Sequence, residues 1–312
     1  MEINLNVNVG NLKLKNPLLL ASGCAGYGLE FSDFFDISIV GGVCLKGLSL
    51  EQTKGNHPPR IWETPSGMIN AIGLQNIGIK NFLKEKAPLL RKIDTVFVAN
   101  FFGHKIAEYV EAGMILDNEE CIDALEMNIS CPNISEGGIQ FGVDPLLVYK
   151  VVSETRKKVK KPLWVKLTPS GNIKETAKSA YEAGADALVA INTIPAMAID
   201  TENFNFRIFN KVGGLSGPAI HPIAVKMVFD VVSEVPIPVV GCGGVEKTEE
   251  GIEFLLLGAK AFQVGTALFY NPKVPEEILE GIVTYLKRKG FNSINEIIGK
   301  IRVTQNQKNE CS

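Results

Sequence analysis

Eight short apolar runs, separated by stretches of helical pattern, limit what this chain can fold into more than any other feature. They are "PLLLAS" (17–22), "GGVCLK" (41–46), "TVFVAN" (95–100), "ALEMNIS" (124–130), "PLWVKL" (162–167), "ALVAIN" (187–192), "IPVVGCGG" (237–244) and "AFQVGT" (261–266). Alternation of apolar strands with helices argues a parallel sheet, because parallel neighbours need a crossover and a helix is its usual form. In the run from Asn172 to Ala183, Ile173, Ala177 and Ala180 fall on one helical face, and Pro222 to Val232 and Lys247 to Leu257 pattern similarly. "EAGADALVAIN" and "LLGAKAFQVGT" echo each other as helix end, glycine, buried strand, which marks a repeated unit. Eight strand–helix units on 312 residues predict an α/β fold, the (β/α)8 barrel, with a doubly wound open sheet as the alternative. Two alternating segments, "INLNVNV" and "NLKLKN", joined at Gly10 and Asn11, predict an N-terminal β-hairpin. No Pro/Ser/Gly-rich linker or charge block divides the chain, so residues 1–312 read as one domain.

The formal charge of -2 arises from acidic and basic residues mixed along the whole chain, which leaves no basic stripe for a nucleic-acid backbone or an anionic membrane. Apolar runs such as "FLLLGA" and "MVFDVV" fall far short of the roughly 20 residues that span a bilayer. The start, "MEINLNVNVG", has neither a basic region nor an apolar core, so the expected location is the cytoplasm. Six cysteines (Cys24, Cys44, Cys121, Cys131, Cys242, Cys311) are scattered without a CxxC pair, and metal or iron–sulfur ligation by this chain lacks support. Four of them read as small core residues or a tail thiol. Cys131, held in "MNISCPNIS" between two asparagines and followed by proline, does not.

In a barrel the C-terminal tips of the strands form the floor of the site. Six runs close on polar side chains, Ser22, Lys46, Asn100, Asn128, Lys166 and Asn192, and the last two on the glycine turns Gly243–Gly244 and Gly265–Thr266. One lysine at a strand end is ordinarily a snorkelling surface residue, and one asparagine a turn former. Lys46 and Lys166 together, each after an uncharged apolar run, imply an anionic ligand or a developing negative charge. The two glycine turns occupy the positions where barrels commonly bind phosphate, with Thr248 placed to cap a following helix. No GxxxxGK[ST] or strand-linked GxGxxG occurs, which favours a mononucleotide phosphate over a nucleoside triphosphate or NAD.

The segments "ASGCAGYG" (21–28), "ETPSGMINAIGLQNIG" (63–78), "MNISCPN" (127–133), "VKLTP" (165–169), "GGLSGPAI" (213–220) and "GCGGV" (241–245) resemble those of the dihydroorotate dehydrogenases over nearly the whole chain. Cysteine at position 131 and the following "CPNISEGGIQFG" are similar to the NAD-linked class 1B catalytic subunits. The resemblance implies FMN as the mononucleotide and Cys131 as the base that takes the C5 proton of dihydroorotate while hydride leaves C6 for the flavin. It implies flavin contacts at Ser22, Lys46, Gly47, Asn100, Asn128, Lys166 and Ile191, with phosphate and ribityl contacts at Gly217, Gly243, Gly244, Gly265 and Thr266. A β-branched residue at Gly243 or Gly265 is then expected to hold the backbone away from the phosphate. Substrate contacts carry over to Lys46, to Asn70, Ala71, Ile72, Gly73 and Leu74, and to Asn128, Asn133, Asn192 and Thr193. Amides that donate and accept, with one cation, suit a pyrimidine ring that carries a carboxylate. The implied assembly is a homodimer joined by an FAD and iron–sulfur subunit into a heterotetramer that delivers electrons to NAD. Phe101 and Phe102 in "VANFFGHK" and the loosely matching "IPAMAIDTENFNFRIFNKVGG" are departures expected to face the mouth, and the three histidines match no catalytic position. A dihydropyrimidine dehydrogenase of the dihydrouracil type and a flavin-binding subunit without turnover are the competing functions.

Overall fold

The structure, a computed structural model, describes residues 3–130, 132–133 and 139–301. The hairpin β1 (Val7–Val9) and β2 (Leu12–Leu14) pairs Val9 with Leu12 across Gly10 and Asn11, and Gly10 takes the positive φ of 62° that so tight a turn requires. After it come β3 (Leu18–Leu20) and β4 (Gly42–Cys44), the antiparallel pair β5 (Ile61–Thr64) and β6 (Gly67–Asn70), then β7 (Val96–Phe101) and β8 (Ala124–Asn128). A short pair, β9 (Pro132–Asn133) and β10 (Ile139–Gln140), precedes β11 (Leu163–Lys166) and β12 (Ala187–Ala190). Four strands, β13 (Ile194–Met197), β14 (Ile199–Asp200), β15 (Asn205–Phe206) and β16 (Val212–Ser216), then form one long excursion before β17 (Val239–Cys242) and β18 (Ala261–Val264).

The eight apolar runs are the eight strands of a closed parallel barrel, β3, β4, β7, β8, β11, β12, β17 and β18 in chain order, with β18 pairing back to β3. They lie buried on both sides because helices cover the outside and side chains fill the inside. The outer layer includes α1 (Gly78–Glu85), α2 (Ala87–Leu90), α3 (Ile106–Asp117), α4 (Pro145–Arg156), α5 (Ile173–Glu182), α6 (His221–Glu234), α7 (Thr248–Leu257) and α8 (Val274–Lys289). Their starts are legible: Asn172 caps α5 by accepting from the Lys174 N–H, and Asp144 caps α4 ahead of Pro145. Thr248 does not cap. It is the first residue of α7, and the Glu250 carboxylate accepts from the N–H groups of Glu246 and Lys247 instead. Among the described residues no helix is long and apolar enough to cross a membrane.

Two features place the site. The N-terminal hairpin packs Val7, Val9 and Leu14 into the core, with Gly10 against the carbonyl of Asp186 at the start of β12, so it covers the N-terminal end of the strands. Over the opposite end lies a four-stranded antiparallel sheet in the order β13, β16, β6, β5, which roofs part of the barrel mouth. The excursion between β12 and β17 is therefore a long hairpin, whose outer part pairs Ile199 with Phe206. Phe101 and Phe102, expected at the mouth, are instead buried, Phe101 against Tyr109 and Phe102 against His104. Apolar rings that size at the end of β7 lose more by exposure than the loop gains by presenting them.

Candidate active site

A cavity of about 580 Å3 occupies the C-terminal mouth of the barrel beneath the four-stranded sheet. Ser22, Lys46, Gly47, Asn100, Asn128, Lys166, Ile191, Asn192 and Thr193 line it from the strand ends. Asn70, Ala71, Ile72, Gly73 and Leu74 line it from the end of β6, and Gly217, Gly243, Gly244, Gly265 and Thr266 from the turns. Cys131 lies outside the described residues, and of Asn133 only the backbone, in β9, is described. Ser130, one residue before Cys131, lines the cavity.

The polar groups are already oriented. Asn192 Nδ2 donates to Asn128 Oδ1 (3.2 Å) and to Ser130 Oγ (3.0 Å), which ties three lining residues together. The carbonyl of Asn128 accepts from the Tyr109 hydroxyl at 2.7 Å. Ser22 Oγ donates to the Leu45 carbonyl at 2.8 Å, joining the first strand end to the second. On the roof, Asn70 Nδ2 donates to the Gly214 carbonyl, and Asn56 holds the 70–74 run by donating to the Ala71 carbonyl. Gly47 is small for a reason: a Cβ there would stand 2.8 Å from Asn100 Oδ1.

Beneath the cavity lies a buried polar layer that the strand-end residues alone do not disclose. Strand alternation points Glu126 the same way as Asn128, and Gln263 projects from β18 beside them. Glu126 Oε1 accepts from Asn100 Nδ2 and Oε2 from Gln263 Nε2, each at 2.6 Å, and Lys166 Nζ donates to Gln263 Oε1 at 2.9 Å. Lys166 Nζ stands 3.8 Å from Glu126 Oε1. Burial alone would push the Lys166 ammonium down, but its neighbours when ionised, Cys242 and then Glu126, outweigh it and hold the group above the usual lysine range; near neutral pH Cys242 is a neutral thiol, and Glu126 is the counter-charge that remains. Both lysines line the cavity, and they differ in one respect: Lys166 has a counter-charge below it in Glu126. Burial pushes Lys46 down.

Cys24 and Cys242 also line the cavity, so two thiols that read as core residues belong to its wall. Both are pushed up by burial, Cys24 to about 12, which leaves them neutral and unreactive near neutral pH. His221 begins α6 and is buried, with Nδ1 2.9 Å from the Gly243 carbonyl and Nε2 3.2 Å from Glu253. It braces the glycine turn rather than facing the cavity.

At that turn Gly243 and Gly244 have φ of 138° and 72°, and a Cβ on Gly244 would stand 2.7 Å from the His221 Cβ. Among the described residues the backbone N–H groups of Gly243, Gly244, Gly265 and Thr266 donate to no protein acceptor. Four donors left open beside one cavity fit an anion with several oxygens. At Gly243 a Cβ would meet Ala224 Cβ of α6 at 2.7 Å. A side chain there forces the turn and α6 apart, and the φ of 138° disfavours one in any case. At Gly265 the Cβ would meet Ala21 Cβ at 3.2 Å and Cys24 Sγ at 3.3 Å, both at the cavity wall.

The dihydroorotate dehydrogenase family model matches residues 4–286. The chain is 50% identical over 299 residues, 96% of it and 99% of the relative, to the dihydroorotate dehydrogenase B (NAD(+)) catalytic subunit of Thermodesulfovibrio yellowstonii. It is 47% identical to the protein of that name from Geotalea uraniireducens, over 96% of the chain and 98% of the relative. With that from Oceanobacillus iheyensis the identity is 46% over 97% of the chain and 100% of the relative. A match of this extent means that the chain belongs to the dihydroorotate dehydrogenase family.

Proposed function

We propose that this chain is the catalytic subunit of an NAD-linked dihydroorotate dehydrogenase, which oxidises dihydroorotate to orotate in pyrimidine biosynthesis in the cytoplasm. The observation that carries this is the single cavity in which Lys46, Lys166, the asparagines 70, 100, 128 and 192, and the open N–H groups of the glycine turns converge. The four N–H donors suit the phosphate of FMN, and Gly217 completes that wall. Bound FMN supplies a two-electron acceptor for the hydride that leaves C6 of the substrate. Lys46 holds the substrate carboxylate, and Asn70, Asn128, Asn133 and Asn192, with Thr193 and the 71–74 backbone, take the ring's carbonyl and N–H groups. Cys131, as thiolate, removes the C5 proton, so that the C5–C6 double bond forms as the C–H electrons leave C6. Lys166 supplies fixed positive charge at the floor, where negative charge develops on reduction.

The test is to release any pigment from the purified chain by heat and identify it, then titrate the intact protein with orotate. Noncovalent FMN, with a visible spectrum perturbed by orotate, is the expected result. Absence of flavin after reconstitution with FMN would overturn the assignment. Gly265→Val should weaken FMN binding about tenfold, because overpacking of ~1–3 kcal/mol falls on the cavity wall. An unchanged Kd in a fluorescence titration would remove Gly265 from the phosphate wall.

Electrons leave for NAD through a second subunit bearing FAD and an iron–sulfur cluster, two of which join a homodimer of this chain. Among the described residues no group of three or more His, Cys, Asp and Glu side chains could hold a metal ion. The isolated chain is expected to reduce artificial dyes with dihydroorotate but NAD only slowly. Efficient NAD reduction by the isolated chain would contradict the two-subunit route.

A further inference from the structure

Glu126 is fully buried in the barrel interior, and no step above uses it. A carboxylate survives there only with its oxygens satisfied and a counter-charge at hand. Both conditions are met. Asn100 and Gln263 each donate to one oxygen at 2.6 Å, and Lys166 Nζ lies 3.8 Å away. Gln263 links the two charges, since its Nε2 donates to Glu126 while its Oε1 accepts from Lys166.

Lys166 is faced by groups from every neighbouring wall: Glu126 on β8, Gln263 on β18, Cys44 on β4, Cys242 on β17 and Cys24 after β3, with Lys46 across the cavity. Burial pushes all three thiols up, so they carry no charge near neutral pH. Among these groups Glu126 is the one anion.

We propose that Glu126 is a positioning residue that keeps Lys166 protonated and fixed under the flavin before any electron arrives. The positive charge is thereby preset, not recruited by proton uptake when the flavin is reduced. The inference rests on the FMN assignment above. It has a countable consequence. Between about pH 7.5 and 9.5, well below the ordinary lysine range, two-electron reduction of the parent protein takes up one proton, on the flavin. In Glu126→Gln the buried ammonium loses its partner, and burial pushes its pKa down by as much as several units. Reduction then takes up two protons per two electrons, one on the flavin and one on Lys166 Nζ.

The experiment measures FMN binding first and then the pH dependence of the flavin midpoint potential, with dithionite as reductant and no substrate. Parent, Glu126→Gln and the double variant Glu126→Gln/Gln263→Glu are compared. The double variant returns a carboxylate to the layer under Lys166 with the pair reversed, so it should restore the one-proton slope. A residue that serves packing alone would not be rescued by moving the charge. Two protons in the parent, one in Glu126→Gln, or two in the double variant would each overturn the inference. Should Glu126→Gln fail to fold, the parent and the double variant decide by the same counts. A parent that binds no FMN overturns the flavin assignment and this inference with it. A parent that binds FMN yet takes up two protons overturns this inference alone.

Discussion

Cys131→Ala is expected to slow flavin reduction by dihydroorotate by about 100- to 10,000-fold at neutral pH, the usual range for loss of a general base. Binding of FMN and orotate should persist, because the contacts assigned to them come from the other strand ends and turns. Cys131→Ser should fall between the two and gain with rising pH, since a hydroxyl surrenders its proton less readily than a thiol of pKa near 8.5. For the unmodified chain the rate should rise with pH as the thiolate forms, up to that same region. Stopped-flow bleaching from about pH 6 to 10 reads all three. A loss under about tenfold in Cys131→Ala would mean that another group, or water, takes the C5 proton.

Lys46→Met should raise the Kd of orotate and the KM of dihydroorotate by about 10- to 150-fold, the equivalent of ~1.5–3 kcal/mol for a hydrogen bond to a charged group. FMN should remain bound. Burial, with Arg60 adding to it, sets the Lys46 ammonium below its ordinary range. The sign follows: the protonated form holds the substrate carboxylate, so affinity is full below that depressed pKa and falls as pH rises through it. The alkaline limb of kcat/KM should accordingly begin below the ordinary lysine value of about 10.4, and Lys46→Met should have no such limb. An unchanged KM in Lys46→Met would remove this residue from the carboxylate.

The barrel was legible because its strands are covered on both faces and read as bare apolar runs, such as "ALVA" in β12. The strand-end residues were legible for the same reason, since Lys46, Asn100, Asn128 and Lys166 interrupt such runs where the barrel opens. The roof sheet was not. Its strands are short and partly exposed, β16 is the glycine-bearing "VGGLS", and β6 must find β16 about 145 residues later in the chain with no local signal of register. Glu126 and Gln263 stood in view inside "ALEMNIS" and "AFQVGT", where a carboxylate and an amide within a buried run are themselves the sign of an internal polar layer. Cys24 and Cys242 were not legible as site residues, because cysteine is as common in a core as in a cavity wall.

The central claim is that one cavity in this chain joins dihydroorotate to a flavin. Anaerobic mixing of the purified, FMN-loaded chain with dihydroorotate, and in parallel with dihydrouracil, tests it most directly. The expected result is rapid bleaching by dihydroorotate, one orotate formed per flavin reduced, and little or no bleaching by dihydrouracil, which lacks the carboxylate that Lys46 would hold. Bleaching by dihydrouracil in preference would contradict the claim in favour of a dihydropyrimidine dehydrogenase, and a flavin that stays oxidised with both would leave a binding subunit without turnover.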